Sequence, residues 1–192
     1  MSSVDATPEP PPGPTWLRDA ERVDLAVYAA IAQTPTPALN TAMSRLTAAA
    51  DYSKLSLAAA ALIAGFGGRR GRRAARDGLV SVGVTATVTN LVLKPLGGRR
   101  RPDRVAEHVP LARQTRMPGS TSFPSGHTAA AFAFATGVGH ALPVVSIPLQ
   151  GLAALVGYSR VHTGVHYPGD VLTGALAGTV LAQLTTHALD RR

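Results

Sequence analysis

Uncharged apolar segments, separated by short polar clusters, make up most of this chain beyond its first quarter. Asp, Glu, Lys and Arg are absent from residues 55–68, 78–93, 117–159 and 171–189. A membrane-spanning helix needs about 20 mostly apolar residues, so the first segment reaches that length only if it begins near Leu46. The third is long enough for two helices, with a turn between Gly137 and Pro143. The pattern predicts an all-α fold, a transmembrane helical bundle of about five spans packed through small residues; a soluble helical bundle is the alternative.

The residues before these segments are patterned differently. From Trp16 to about Gln33 the chain is amphipathic at helical spacing, with Leu17, Val23, Val27, Tyr28 and Ile31 opposite Arg18, Asp19, Glu21, Arg22 and Asp24. This helix is too polar to span a bilayer and is predicted to lie at the membrane interface; a packing helix in a soluble bundle is the alternative. Residues 1–14 are rich in Pro, which predicts a disordered tail. We divide the chain into this tail (1–14), an interfacial helix with its linker (15–45) and a membrane domain (46–192).

Composition and charge narrow the class of protein. The 192 residues suit one domain, 16% of them are charged, no Cys is present, and the mean hydropathy is +0.12. Without Cys the chain has no disulfide, thiolate metal site or Cys nucleophile. The net charge of +8 also fits a nucleic-acid binder, but the arginines cluster at the ends of apolar segments, as in membrane proteins. We therefore expect no nucleic-acid partner, and the Pro-rich start shows no apolar core of a signal peptide.

The positive charges also predict an orientation. If residues 46–68 and 78–93 are successive spans, the arginines of a 69–76 loop lie on one side of the membrane, together with Arg191 and Arg192. Loops rich in Lys and Arg usually stay in the cytoplasm. The polar clusters at the other segment ends would then lie on the extracytoplasmic face of a multi-pass protein of the cell membrane.

Three basic side chains in the polar clusters are suited to binding phosphate. Lys94 and Arg101 belong to a basic run that ends at Pro102, and Arg160 follows Ser159 at the end of an apolar segment. Such cations stabilise the charged oxygens of a phosphoryl group, and arginine can do so with two parallel hydrogen bonds. Taken alone, the run at 94–102 is equally compatible with a basic patch that flanks a membrane helix.

A second cluster, Pro124-Ser125-Gly126-His127, leads directly into an apolar helix. Ser125 is predicted to be the N-cap of that helix, whose free N–H groups attract anions. His127 would lie in the first turn, where an imidazole can donate a proton to a departing alkoxide. A capped helix with an interfacial histidine is the alternative.

The third cluster pairs His166 with Asp170. Pro168 suits the first turn of the last helix, so Asp170 is expected in that turn, folded back toward the imidazole. A carboxylate on one ring nitrogen leaves the other free as a nucleophile or base, although a capping Asp beside a structural His is the alternative. A metal site of His162, His166 and Asp170 is conceivable by residue type, but the surrounding cations would repel a divalent ion, and we expect none.

Together the clusters read Lys-x6-Arg-Pro, Pro-Ser-Gly-His and Ser-Arg-x5-His-x3-Asp, in this order within 94–170. The pattern resembles that of the type 2 phosphatidic acid phosphatase (PAP2) superfamily, which includes vanadium haloperoxidases and bacterial class A acid phosphatases. The haloperoxidases are much longer and soluble, so the hydropathy favours the integral-membrane branch. Members of that branch usually have six spans, one more than the apolar segments predict.

The resemblance implies a role for each matching residue. His166 would be the nucleophile that forms a phosphohistidine, oriented by Asp170, and His127 would protonate the leaving group and then activate water. The phosphoryl oxygens would be bound by Lys94, Arg101 and Arg160, with Ser125 and the Gly126 amide assisting. No cofactor or metal is implied for the phosphatase.

The resulting hypothesis is a membrane lipid-phosphate phosphatase. Its substrate would be a phosphatidate-type lipid or a polyprenyl phosphate or diphosphate, including decaprenyl-linked phosphoribose, and the sequence does not choose among them. No residue outside the three clusters indicates selection of a lipid headgroup; position alone would place specificity in the 103–123 loop, where Glu107, His108 and Arg113 lie. The alternatives are a soluble or peripheral acid phosphatase of small phosphoesters, and a non-enzymatic lipid-binding or transport protein on the same fold. The oligomeric state is open.

Overall fold

A computed structural model describes residues 14–191, and this part of the chain is helical without strands. The helices are α1 (Thr15–Gln33), α2 (Pro37–Ala49), α3 (Lys54–Phe66), α4 (Gly68–Val88), α5 (Lys94–Gly97), α6 (Gly126–Ala141), α7 (Pro143–His162) and α8 (Pro168–Asp190). A π-helical segment, Thr89–Leu93, joins α4 to α5, and 3-10 turns cover Asp51–Ser53 and Leu111–Arg113. The predicted all-α class is confirmed, and α1 matches the predicted amphipathic helix. The predicted disordered tail lies, apart from Pro14, outside the described residues.

Helix α6 occupies the centre of the bundle and packs against α4, α7 and α8. Two of these helix–helix contacts leave space only for glycine. A Cβ on Gly137 would lie 2.8 Å from the Gly78 Cα of α4, and one on Gly178 of α8 would collide with the Ala129 carbonyl oxygen of α6. Phe134 of α6 fills the space beside these contacts. Such small-residue packing lets helix backbones approach closely, as is common in membrane bundles.

Three sequence-based boundaries were wrong. Residues 46–68 do not form one helix, because the chain breaks at Ala50–Ser53, where Tyr52 and Ser53 have positive φ angles of 56° and 57°. The arginines of 69–76 lie in the first turns of α4 rather than in a loop, since the reversal is confined to Gly67 and Gly68. The turn predicted across Gly137–Pro143 is only Leu142, the one residue between α6 and α7.

Two helical segments of the described chain, Gly68–Gly97 and Pro143–His162, have the length and apolar composition of a membrane span. Helix α8 adds an exposed apolar stripe at intervals of four residues, formed by Leu172, Leu176, Val180 and Leu184. Such a stripe is costly in water but suits contact with lipid. The count of five spans remains a prediction.

The two ends of the bundle differ in their polar groups. At one end Asp190 of α8 lies 2.7 Å from Arg73 of α4 and 2.8 Å from His140 of α6, which ties the three helices together near the arginine-rich start of α4. The start of α6, the end of α7 and the start of α8 lie at the opposite end. The clusters singled out in the sequence therefore meet at a single end.

We predict that Gly178→Ala destabilises the protein, because the added methyl group has no space between α8 and α6. The expected loss is about 1–3 kcal/mol of unfolding free energy, measured as a lower midpoint of thermal unfolding in detergent. Gly83→Ala is the matched control, since a Cβ there meets no atom within 4 Å. Equal midpoints for the two variants would contradict the packing described.

Candidate active site

The candidate site lies where four helix termini meet. Lys94 follows the π-helical segment, His127 lies in the first turn of α6, Arg160 in the last turn of α7, and Asp170 in the first turn of α8. Arg101 comes from the long connection between α5 and α6. Segments of π-helix often occur at functional sites because they redirect a helix by one residue; here the segment immediately precedes Lys94.

His166 and Asp170 are in contact, as their spacing predicted. The imidazole Nδ1 lies 3.4 Å from the Asp170 Oδ2 atom, and neither side chain is exposed by more than 2%. The same oxygen accepts hydrogen bonds from the Tyr167 backbone N–H, at 2.9 Å, and from the Ser122 hydroxyl. Pro168 is the first residue of α8. The carboxylate is therefore held by several donors and holds the ring in turn.

The cation at the other face of the ring identifies its tautomer. Arg101 Nη1 lies 3.2 Å from His166 Nε2, and a guanidinium can only donate. The Nε2 atom is therefore the unprotonated acceptor, and the ring proton is on Nδ1, facing Asp170. Arg101 is itself fixed, since its Nε donates to the Ser120 carbonyl oxygen at 2.8 Å and its Nη1 to that of Val165 at 2.8 Å.

Two further cations lie at this end of the bundle. Lys94 Nζ donates to the Ser120 hydroxyl at 3.0 Å. The same Nζ atom lies close to the start of α6, since a Cβ on Gly126 would be 3.8 Å from it. Arg160 is buried, with Nη1 donating to the Thr47 hydroxyl at 2.6 Å, while its Nε has no hydrogen-bond partner among the described residues. A buried unpaired donor is costly unless a ligand satisfies it. An anion between these side chains would supply the missing acceptor.

His127 has a partner that the sequence did not reveal. Its Nε2 lies 2.8 Å from the Asp51 Oδ1 atom in the 3-10 turn before α3. The Asp51 side chain is 43% exposed. It nevertheless orients the second histidine as Asp170 orients the first.

Ser125 occupies the N-cap position of α6, but its predicted capping hydrogen bond is absent. The buried hydroxyl pairs instead with the Thr128 hydroxyl at 2.8 Å. Its backbone N–H donates to the carbonyl oxygen of Asp170 at 2.9 Å, which ties α6 to α8. Since no side chain caps this helix, the first N–H groups of α6, including that of Gly126, keep their capacity to bind an anion.

Two residues considered in the sequence have other roles. His162, which was considered as a metal ligand, pairs through Nε2 with the Thr36 hydroxyl at 3.0 Å. Within residues 14–191 no group of three or more His, Cys, Asp or Glu is arranged to hold a metal ion. Arg113, expected to contribute to specificity, is buried; it donates to the Ile31 carbonyl oxygen at 2.9 Å and to Asn40 at 3.0 Å. It fastens the 98–125 connection to α1 and α2. Glu107 and His108 lie in a turn of that connection.

The surroundings of His166, in the loop between α7 and α8, favour its neutral form. Burial lowers the pKa of the imidazole to about 4; the positive charges of Arg101 and Arg160 act in the same direction, against the hydrogen bond to Asp170. Near neutral pH the ring is therefore uncharged, and its Nε2 lone pair can attack an electrophile. The site thus combines a neutral imidazole with three cations that can bind an anionic group.

Comparison with protein families and curated proteins gives a consistent result. The model of the PAP2 superfamily matches residues 77–192. Decaprenylphosphoryl-5-phosphoribose phosphatase from Mycobacterium tuberculosis is 37% identical over 98 residues, 49% of this chain and 50% of the relative, so the match spans half of that protein's length. The Mycolicibacterium smegmatis protein of the same name is 32% identical over 166 residues, 82% of each chain.

Two solved structures have the same fold. Aquifex aeolicus LpxE superposes with a TM-score of 0.71 at 26% identity, over 86% of this chain and 95% of that one. The PAP2-type phosphatidylglycerolphosphate phosphatase from Bacillus subtilis, described as transmembrane, gives a TM-score of 0.69 at 28% identity, over 90% and 87% of the two chains. These likenesses support a location in the membrane.

We predict that His166 titrates well below the ordinary histidine value of about 6.5, with a midpoint at about pH 4. The measurement is an NMR titration of the imidazole signals in the substrate-free protein, with the His166 signal assigned by its loss in His166→Gln. Asp170→Asn should lower the midpoint further, because it removes the anion that favours the imidazolium. A midpoint at or above the ordinary value would contradict the described environment.

Proposed function

Because this chain belongs to the PAP2 superfamily, we propose that it is a membrane lipid-phosphate phosphatase. It hydrolyses a phosphate monoester or diphosphate on a lipid, without a metal, through a phosphohistidine. One observation carries the proposal: His166, held by Asp170 through Nδ1, has its Nε2 lone pair 3.2 Å from a guanidinium. A phosphoryl group on Nε2 would have its oxygens within reach of that cation.

In the first step, the Nε2 atom of His166 attacks the phosphorus. A P–N bond forms, the P–O bond to the lipid breaks, and His127 gives its proton to the departing oxygen. Charge on the equatorial oxygens is stabilised by Lys94, Arg101 and Arg160, with the free N–H groups at the start of α6. The ring of His166 becomes positive, and Asp170 stabilises it through the Nδ1 proton.

In the second step, water releases the phosphate. The now neutral His127 takes a proton from a water molecule, whose oxygen attacks the phosphorus. The P–N bond breaks, inorganic phosphate leaves, and His166 returns to its neutral form. Asp51 keeps the His127 ring in one orientation through both steps, as the 2.8 Å contact supports.

The proposed substrate class rests on relatives and on the surface of the bundle. Curated relatives are named as phosphatases of decaprenylphosphoryl phosphoribose and of lipid A. The apolar stripe on α8 and the two span-like helices also support a lipid substrate reached from the bilayer. These relatives are named for different lipids, and all are named as phosphatases. The proposal therefore specifies the bond that is cleaved, the one between phosphorus and the lipid oxygen, and does not specify the lipid tail.

We further propose a multi-pass arrangement with the site on the extracytoplasmic face. The arginine-rich start of α4 lies at the opposite end of the bundle from His166, which supports this orientation through the charge bias of cytoplasmic loops.

Two measurements, carbonate extraction and the cleavage of a small phosphoester, distinguish this function from its alternatives. Release from membranes by carbonate favours a soluble acid phosphatase, and lipid binding without any hydrolysis favours a transport-type protein.

We predict that the purified protein releases phosphate from phosphatidic acid or a polyprenyl diphosphate in detergent containing EDTA. His166→Gln should abolish turnover, because the lone pair of an amide nitrogen is delocalised into the carbonyl group and does not attack phosphorus. The measurement is colorimetric phosphate release across a panel of lipid phosphates. Full loss of wild-type activity with EDTA would contradict the metal-independent mechanism, and full activity of His166→Gln would contradict the nucleophile.

We predict that His127→Gln separates the two steps. With p-nitrophenyl phosphate, whose leaving group needs no proton, the variant should release one equivalent of nitrophenol per protein and then stall, because no base activates water for the P–N bond. With a lipid alkyl ester, whose leaving group needs a proton, His127→Gln should show no burst of product. Asp51→Asn, which weakens the contact that orients the His127 ring, should slow turnover about tenfold or more. Steady turnover of the aryl ester by His127→Gln, at the wild-type rate, would exclude this role.

A further inference from the structure

A cation outside the three proposed phosphate ligands contacts the carboxylate of Asp170. Arg99 Nη1 donates both to Asp170 Oδ1, at 3.1 Å, and to Asp24 Oδ2, at 2.6 Å. Its guanidinium carbon lies 4.0 Å above the ring centre of Tyr167, the residue that follows His166. Asp170 is fully buried, and the side chains of Asp24 and Arg99 are 11% and 23% exposed. Position 99 is one of the unspecified positions of the Lys-x6-Arg motif.

Asp24 makes a second contact with the same region. Its Oδ1 atom accepts the Gly169 backbone N–H, at 2.6 Å, in the first turn of α8. A Cβ at Gly169 would lie 3.1 Å from the Asp24 carboxylate. One turn further along α1, Tyr28 packs edge-on against Tyr167 with ring centres 5.3 Å apart. The face of α1 that carries Asp24 and Tyr28 is therefore attached to the loop and helix start that hold His166 and Asp170.

The two oxygens of Asp170 are satisfied from different directions. The Oδ2 atom accepts hydrogen bonds from His166, Ser122 and the Tyr167 N–H, whereas the Oδ1 atom accepts one from Arg99. With both oxygens engaged, the carboxylate cannot rotate to turn Oδ2 away from the imidazole. A guanidinium paired with Asp170 alone would neutralise the charge that stabilises the His166 imidazolium. Asp24 shares that guanidinium, so the three charged groups keep one net negative charge beside the ring.

We propose that Arg99 and Asp24 are positioning residues for Asp170, so that the amphipathic helix α1 is part of the active site. The proposal rests on the phosphatase function proposed above. Arg99 fixes the carboxylate that orients His166, and Asp24 fixes Arg99 from α1. Neither residue touches the substrate, so their loss should slow the chemical steps and leave substrate binding intact.

The test compares variants of the full-length protein in detergent, with phosphate release from dioctanoyl phosphatidate as the assay. Arg99→Gln should lower kcat about 10- to 100-fold, the range expected for a misplaced catalytic group, while KM changes by less than about twofold. Arg99→Lys, which keeps the charge without the planar fork, should recover part of kcat. Asp24→Asn should lower kcat by a smaller factor.

Matched controls come from the neighbouring positions. Arg100→Gln removes the same charge from an exposed side chain next to Arg99, and Asp19→Asn removes a carboxylate from an exposed position on α1. Both should keep the wild-type kcat. The double variant Asp24→Asn/Arg99→Gln should be no slower than Arg99→Gln alone, because the amide oxygen introduced by Asp24→Asn can still accept the Gly169 N–H and the remaining role of Asp24 acts through Arg99. Thermal unfolding shows whether each variant folds, and if Arg99→Gln does not, Arg99→Lys and Asp24→Asn decide the outcome.

The outcomes separate this inference from the function on which it rests. If the wild type releases no phosphate from any lipid phosphate, the proposed function is wrong. If the wild type is active and folded Arg99→Gln and Asp24→Asn match its kcat, the positioning role alone is overturned. Additive losses in the double variant, or a loss confined to KM, would equally overturn it.

Discussion

The carboxylate of Asp170 is buried without any exposed surface, and a buried charge destabilises a protein by several kcal/mol unless cations and hydrogen bonds satisfy it. Here its partners come from Ser122 in the α5–α6 connection, from Tyr167 and His166 in the α7–α8 loop, and from Arg99. Because these partners belong to two segments, the α5–α6 connection that contains Ser122 and Arg99 and the α7–α8 loop, satisfying this one charge fixes the positions of both segments relative to α8. The same contacts hold the imidazole with Nε2 unprotonated. Stability of the site and its proposed chemistry therefore depend on a single buried group.

Close packing of small residues brings the site together. Gly137 and Gly178 let α4 and α8 approach the backbone of α6, so that the start of α6 lies beside the start of α8. The Ser125 N–H then reaches the carbonyl oxygen of Asp170 at 2.9 Å. A larger side chain at Gly178 would separate the helix that carries His127 from the helix that carries Asp170, and one at Gly137 would push α6 away from α4. The apolar composition, which indicates a membrane protein, thus also determines the geometry of its polar site.

Local relationships were predictable from the sequence, and distant ones were not. The contact of His166 with Asp170 follows from their four-residue spacing around Pro168. The helical class follows from the apolar segments and from the polar clusters that separate them. The pairs Asp51–His127 and Arg99–Asp24 join residues 76 and 75 positions apart, and nothing in local periodicity signals them. The arginines at the start of α4 were predicted to form a loop because they lie between two uncharged apolar segments that were predicted to be successive spans. Arg113 was considered for specificity from its position in the loop alone, because its burial is not visible in the sequence.

Locating the phosphoryl group on the protein tests the central claim most directly. Wild-type protein is mixed with radiolabelled lipid phosphate, quenched in alkali within milliseconds to preserve phosphohistidine, digested, and mapped by mass spectrometry. The account predicts a phosphorylated peptide with the group on His166, which disappears as inorganic phosphate forms. A phosphoryl group on His127 or another residue would contradict it. So would rapid phosphate release with no labelled protein at any time.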